Sequence, residues 1–134
     1  MGEDESQIQR VLGSYCQLCD DGRFDVWADL FTEDGRLVFP GREAEGRDAI
    51  RSLMETVQSS GSRGKHMTAN TLIDVDGVSA SSSSDYRVVR PEDGRLAVVA
   101  AGRYHDRLAR SGGRWRFTER VITMLGDPVG ARDG

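Results

Sequence analysis

The chain has 134 residues, enough for one domain with one core, and its 37% hydrophobic and 30% charged residues are those of a water-soluble globular protein. A net charge of -4 gives no reason to expect a polyanion-binding face, and no apolar run is long enough to cross a bilayer, so neither nucleic acid nor membrane is expected as a partner. The first residues, "MGEDESQ", are acidic and carry neither the basic nor the apolar region of a signal peptide, which makes the expected location cytoplasmic.

Ser6 followed by Gln9 matches a capping box, and Ile8, Val11, Leu12, Tyr15 and Cys19 recur at helical spacing behind it, predicting a helix from about residue 6. Cys16 and Cys19 form a C-x-x-C on or beside the apolar stripe. A redox pair belongs at a helix N-terminus, where the dipole lowers the thiol pKa, and a zinc site needs two further ligands. This pair stands at the other end, so small buried thiols are the favoured reading. The helix closes on Asp20 and Asp21 before Gly22. At about 100° per residue Asp20 lies at the margin of the apolar face and Asp21 points further out, which favours Asp20 as the inward carboxylate.

Residues 24–31, "FDVWADLF", read as a short helix presenting Trp27, Leu30 and Phe31, ended by "EDG" before a strand at "RLVFP". An amphipathic helix is predicted near residues 47–58 from Ile50, Leu53, Met54 and Val57. Everything beyond reads as strand: "KHMTANTLIDV", "VSASSSSDYRVVR", "RLAVVAAGRYHDRLAR" and "RWRFTERVITML", separated by turns at Asp76-Gly77, Asp93-Gly94 and Gly112-Gly113. Helices followed by an antiparallel meander define an α+β layout in which a curved sheet wraps helices and encloses a pocket. Alternation on the third of these strands sets Leu96, Val98, Ala100, Gly102, Tyr104, Asp106 and Leu108 on one face. Arg103, His105 and Arg107 share the other, which places His105 outside the sheet or at a subunit interface. No nucleotide-binding glycine motif occurs, and no cofactor or metal is expected.

The terminal Asp of the first helix, "FDVWADLFTEDG", "EGRDAI", "KHMTAN", "GRYHDRL" and "GRWRFTERV", in this order over about residues 6–124, resemble the SnoaL-like branch of the nuclear transport factor two-like superfamily. The resemblance implies one domain over residues 1–134, with an ordered core at about 6–124 and a flexible C-terminal tail. Its fold would be a cone-shaped, strongly curved antiparallel sheet over N-terminal helices, an α+β barrel around a pocket, often found as dimers. Scytalone dehydratase, a dehydrochlorinase, ketosteroid isomerase, polyketide cyclases and dioxygenase β subunits share that fold, so fold alone does not fix the reaction.

In the dehydratase and dehydrochlorinase members, an Asp closing the first long helix orients a His on the first strand of the meander. The resemblance places these on Asp20 and His66, and an Arg facing the pocket on Arg120, for which a salt bridge within the sheet to Asp106 or Asp20 is the competing role. A neutral imidazole titrating at about 6.5 is a general base at neutral pH, and a carboxylate on one nitrogen stabilises the imidazolium formed. Substrate contacts are expected from Tyr15, Trp27, Phe39, Asn70, Tyr86 and Tyr104. Asn70 enters because it stands four residues after His66 on the same strand, and the aromatic residues have plain core packing as their alternative. The pattern departs from scytalone dehydratase at Cys19, where that enzyme has Tyr, and near Arg90 and Pro91, where its second pocket His would fall. The expected activity is a cofactor-independent lyase or isomerase, of dehydratase or cyclase type, acting on a largely apolar, oxygenated small molecule. A non-catalytic binding module of the same fold is the alternative. A homodimer through the outer sheet face is expected, because Trp115, Phe117 and Val121 alternate with Ile122 and Met124.

Overall fold

The structure is a computed structural model and describes residues 2–126; the expected C-terminal tail lies outside the described residues beyond 126. Helix α1 spans Glu3–Asp20. It starts ahead of the predicted capping box, because Glu3, Asp4 and Glu5 complement the positive end of the helix dipole and the Ser6 N–H already donates to Gly2 O at 3.0 Å. Ser6 is therefore inside the helix and caps nothing. Ile8, Leu12, Tyr15, Cys16 and Cys19 are buried at the spacing expected of one helical face.

The C-terminus of α1 is sharply defined. Gly22 has φ +70, its N–H donates to Cys19 O at 3.0 Å, and Arg23 N–H reaches back to Leu18 O at 2.9 Å. This paired closure satisfies carbonyls that a helix end otherwise leaves open. A Cβ on Gly22 would meet only the movable guanidinium end of Arg63, so it is the positive φ that favours glycine here. Asp20 is thereby held as the last helical residue.

Helix α2 covers only Phe24–Ala28, shorter than the predicted 24–31. Phe31 instead opens strand β1, Phe31–Phe39, because it pairs in parallel with Phe117, whose N–H donates to Leu30 O at 2.8 Å. The "EDG" segment read as a break lies in an irregularity inside that strand. A tight turn at Pro40 and Gly41 leads to the short strand β2, Arg42–Glu45, which the sequence reading did not anticipate. Helix α3, Arg47–Val57, buries Ile50 and Met54 as expected. Strands β3 (Lys65–Asp76), β4 (Ser79–Glu92), β5 (Arg95–Ser111) and β6 (Arg114–Met124) form the antiparallel meander.

The strands make one six-stranded sheet in the order β2-β1-β6-β5-β4-β3. It is antiparallel except where β1 runs parallel to β6, and it stays open, with β2 and β3 as its edges rather than a closed barrel. The core lies between the sheet and the helices, around Tyr15, Trp27, Phe31, Tyr104 and Phe117.

Bulges decide which side chains point inward, since one extra residue reverses the alternation beyond it. On β3, Asn70 and Thr71 together oppose Ser84, and Asn70 has φ 54. On β5 the register slips at Val99, so Leu96 and Val98 lie off the inner face and are 77% and 59% exposed, while Tyr104, Asp106 and Leu108 are buried as expected. On β6 the slip at Thr118 brings Trp115 and Phe117 below it, and Arg120 and Ile122 above it, to the same buried side. The alternation that suggested two apolar faces on this strand is thus interrupted, and Ile122 joins Trp115 and Phe117 inside.

Candidate active site

The end of α1 and the start of β3 meet at Asp20 and His66. The Asp20 carboxylate accepts the His66 backbone N–H on both oxygens, at 3.1 and 3.1 Å, and its Oδ1 lies 2.6 Å from His66 Nδ1. Both side chains are nearly enclosed, 9% and 7% exposed. An ionised carboxylate only accepts, so Nδ1 is the nitrogen that donates to it, and in the neutral ring the lone pair lies on Nε2. Nε2 makes no hydrogen bond among the described residues. Asp21 is exposed and caps the helix through its backbone alone.

His66 forms part of the wall of a cavity of about 480 Å³. Tyr15, Phe39, Tyr86 and Tyr104 line it, with Met54, Val57, Val88, Ala100, Ile122 and Met124 supplying the apolar surface and Arg42, Thr56 and Gln58 further polar groups. Burial pushes the Tyr15 hydroxyl well above the ordinary phenol range against the pull of Arg120, and burial does the same to Tyr104. Both therefore stay protonated, as hydrogen-bond donors. Tyr86 and Tyr104 stack at 4.4 Å with planes 12° apart, which fixes two rings of the wall.

Arg120 stands behind that wall and is absent from the cavity lining. The β6 bulge turns it inward opposite Asp106, which it meets through Nε at 2.7 Å and Nη2 at 2.9 Å, with Ser82 donating to the same carboxylate at 2.9 Å. Its guanidinium lies 3.8 Å from the Tyr104 ring centre, 4.2 Å from Tyr15 and 4.5 Å from Phe117, a cation held among aromatic faces. Burial opposes the charge, yet Asp106 outweighs it and holds Arg120 above the ordinary arginine range. The sheet salt bridge weighed from sequence is the arrangement found.

Two more expected contacts lie elsewhere. Trp27 is fully buried against Tyr15, Phe24 and Phe31 and does not reach the cavity. The β3 bulge turns Asn70 outward, where its amide donates to Asp85 at 2.9 Å on the exposed face. His105 is exposed between Arg103 and Arg107. Cys16 and Cys19 are free and buried; desolvation lifts their thiols to about 11 and about 12, the opposite of redox activation. Among the described residues no three His, Cys, Asp or Glu side chains converge as metal ligands. The sequence reading missed Arg42, Met54, Gln58 and Ile122 as cavity residues. The Pro40-Gly41 turn, which folds Arg42 back beside Phe39, was the one local signal available.

Comparison with known proteins agrees with this architecture. No functionally curated protein matches the chain by sequence. A protein of unknown function from Mycobacterium tuberculosis is 30% identical, with 94% of this chain and 76% of that one covered at a TM-score of 0.86. A nuclear transport factor two-like protein of cystatin-like fold from Novosphingobium aromaticivorans is 24% identical, over 97% of this chain and 87% of that one, with a TM-score of 0.86. A proposed scytalone dehydratase from the same organism is 24% identical over 91% and 84%, with a TM-score of 0.79. The SnoaL-like domain family matches residues 2–121, nearly the whole described chain, and the protein belongs to that family.

Proposed function

We propose that the protein is a cofactor-independent lyase or isomerase in which His66, oriented by Asp20, removes a proton from carbon beside a carbonyl or leaving group. The observation that carries the reading is the 2.6 Å bond from Asp20 to Nδ1, with Nε2 left free in the wall of a cavity. In such a reaction Nε2 takes the proton, and the carboxylate stabilises the resulting imidazolium without accepting the proton itself. The ring then returns the proton to the departing oxygen in a dehydration, or to another carbon in an isomerisation. Protonated Tyr15 and Tyr104 are suited to donate to the oxygen on which negative charge builds. The apolar remainder of the wall favours a largely apolar, oxygenated substrate, and the structural likeness to a proposed scytalone dehydratase supports the same class. We further propose that the protein works in the cytoplasm as a homodimer.

The test is turnover by variants against a panel of hydroxylated and enolisable aromatic ketones. His66→Ala should abolish turnover while ligand affinity changes little, because a proton-transfer group acts mainly in the transition state. Asp20→Asn should lower the rate by about 10⁴, since an amide NH₂ can donate to Nδ1 and turn the ring to the wrong tautomer. Near wild-type turnover by His66→Ala would refute the mechanism. Binding without turnover by the wild-type protein would make it a ligand-binding module instead.

A further inference from the structure

Three buried side-chain polar atoms lack a hydrogen-bond partner among the described residues: Trp27 Nε1, Arg120 Nη1 and Gln58 Oε1. The first two stand behind the cavity wall. Trp27 packs against Tyr15, Phe24 and Phe31, and Arg120 is held by Asp106 and by the ring faces around it. Of the three residues, only Gln58 lines the cavity. A desolvated amide oxygen left unbonded is unfavourable, and only a donor completes it, because that oxygen only accepts.

Gln58 closes α3, with its backbone N–H on Met54 O at 2.8 Å, so its side chain starts from a fixed point beside Met54 and Val57 of the same wall. The side chain makes no hydrogen bond of its own among the described residues, so turning the amide towards a donor in the cavity breaks none. Its neighbours in the wall have no proton to spare. The Thr56 hydroxyl donates to Ser52 O at 3.1 Å, and His66 Nδ1 is engaged by Asp20. The donor must therefore arrive with whatever fills the cavity. Met54, Val57, Val88 and Ile122 make that space largely apolar. An ammonium would surrender its hydration there for one neutral acceptor, whereas an alcohol or phenol enters uncharged.

We propose that Gln58 selects a substrate bearing a hydroxyl group, whose O–H donates to Oε1 while the hydrocarbon ring packs on Tyr86 and Tyr104. This narrows the oxygenated class to hydroxylated cyclic compounds. The proposal rests on the cavity being the substrate site, as in the preceding reading, but not on His66 acting as a base.

The probes are hydroxytetralone, a phenolic ketone with its hydroxyl meta to the carbonyl, and its methyl ether, which lacks the O–H. They are titrated calorimetrically at pH 7 into wild type, Gln58→Met, Gln58→Glu and His66→Ala. Wild type should bind the phenol about tenfold more tightly than the ether, the effect of one buried hydrogen bond. Gln58→Met, similar in length but without the acceptor, should erase that preference and keep the ether affinity. It should also melt no lower than wild type, because it removes an unbonded polar atom. Gln58→Glu still accepts and should keep the preference. His66→Ala should keep it too, so a failed mechanism and a failed recognition residue give different results. Equal affinities in wild type, a preference surviving Gln58→Met, or one lost in Gln58→Glu or in His66→Ala would each overturn the proposal. So would a Gln58→Met protein that melts clearly lower, or no binding of the phenol at millimolar concentration.

Discussion

Removing the Asp106 carboxylate tests how the aromatic wall is held. Arg120 and Asp106 have side chains 1% and 0% exposed, joined by bonds of 2.7 and 2.9 Å, and Arg120 Nη1 already lacks a partner. Asp106→Ala leaves a guanidinium enclosed by Tyr15, Tyr104 and Phe117 with no counter-charge and no route to water. Breaking a buried pair in this way costs about 3–5 kcal/mol, and the surrounding rings, which hold the cation in both forms, do not change that difference. Against a whole-domain stability of roughly 5–15 kcal/mol that is a large fraction, and the melting temperature should fall by roughly 10–20 °C. The double variant Asp106→Leu with Arg120→Met removes both charges and should lie within about 2 kcal/mol of wild type. Urea unfolding followed by tryptophan fluorescence measures all three, with an unchanged slope showing that the same surface is exposed. A loss below about 1 kcal/mol in the single variant, or a double variant as unstable as the single, would refute the reasoning.

Stability should fall as pH rises from 9 towards 12. The folded-state values of Cys16 and Cys19 are raised from an ordinary 9.0 to about 11 and about 12, so the folded state holds protons the unfolded chain has lost. Their contribution is complete below the unfolded value and disappears through the folded one; Tyr15 and Tyr104, also raised, act in the same direction. Urea midpoints at pH 8, 9 and 10 should show the decline, and it should be shallower in the Cys16→Ala/Cys19→Ala double variant, which keeps ligand binding; an equal slope would contradict the assignment. Gly22→Ala should destabilise by about 1 kcal/mol, given its positive φ, and should weaken the Asp20–His66 bond that depends on the helix end. Denaturation and the imidazole NMR shifts of His66 would report the two effects separately.

The helical period of α1, the strand runs and their glycine turns were legible because each is written in contiguous residues. The helix period and Gly22 marked Asp20 as the inward carboxylate at the end of α1, whereas its pairing with His66 was expected only from the family resemblance, because the two stand 46 residues apart. What escaped was non-local. Phe31 fits a helical stripe as well as a strand, and only its pairing with Phe117 decides between them. Strand β2 is four mainly charged residues without alternation strong enough to read. Asn70 left the expected face because a bulge leaves no mark in the order of apolar and polar residues. Ser6 failed as a cap because three acidic residues carried the helix past it. Arg42 and Gln58 reach the cavity wall only because the β1–β2 turn and the end of α3 meet there, which no contiguous run of residues announces.

The slip at Thr118 has a consequence for how this protein can change. Below it, β6 supplies Trp115 and Phe117 to the sealed aromatic base; above it, the same strand supplies Ile122 and Met124 to the chamber, with Arg120 at the seam. The bulge is what lets one strand serve both, since without it Ile122 would face outward while Trp115 and Phe117 face in. Tyr15, Tyr104 and Ile122 belong to the core and to the chamber alike, so a new substrate shape fitted at those positions is also a new core, and the chamber is reshaped at least cost to folding from its rim, at Phe39, Val57 and Met124.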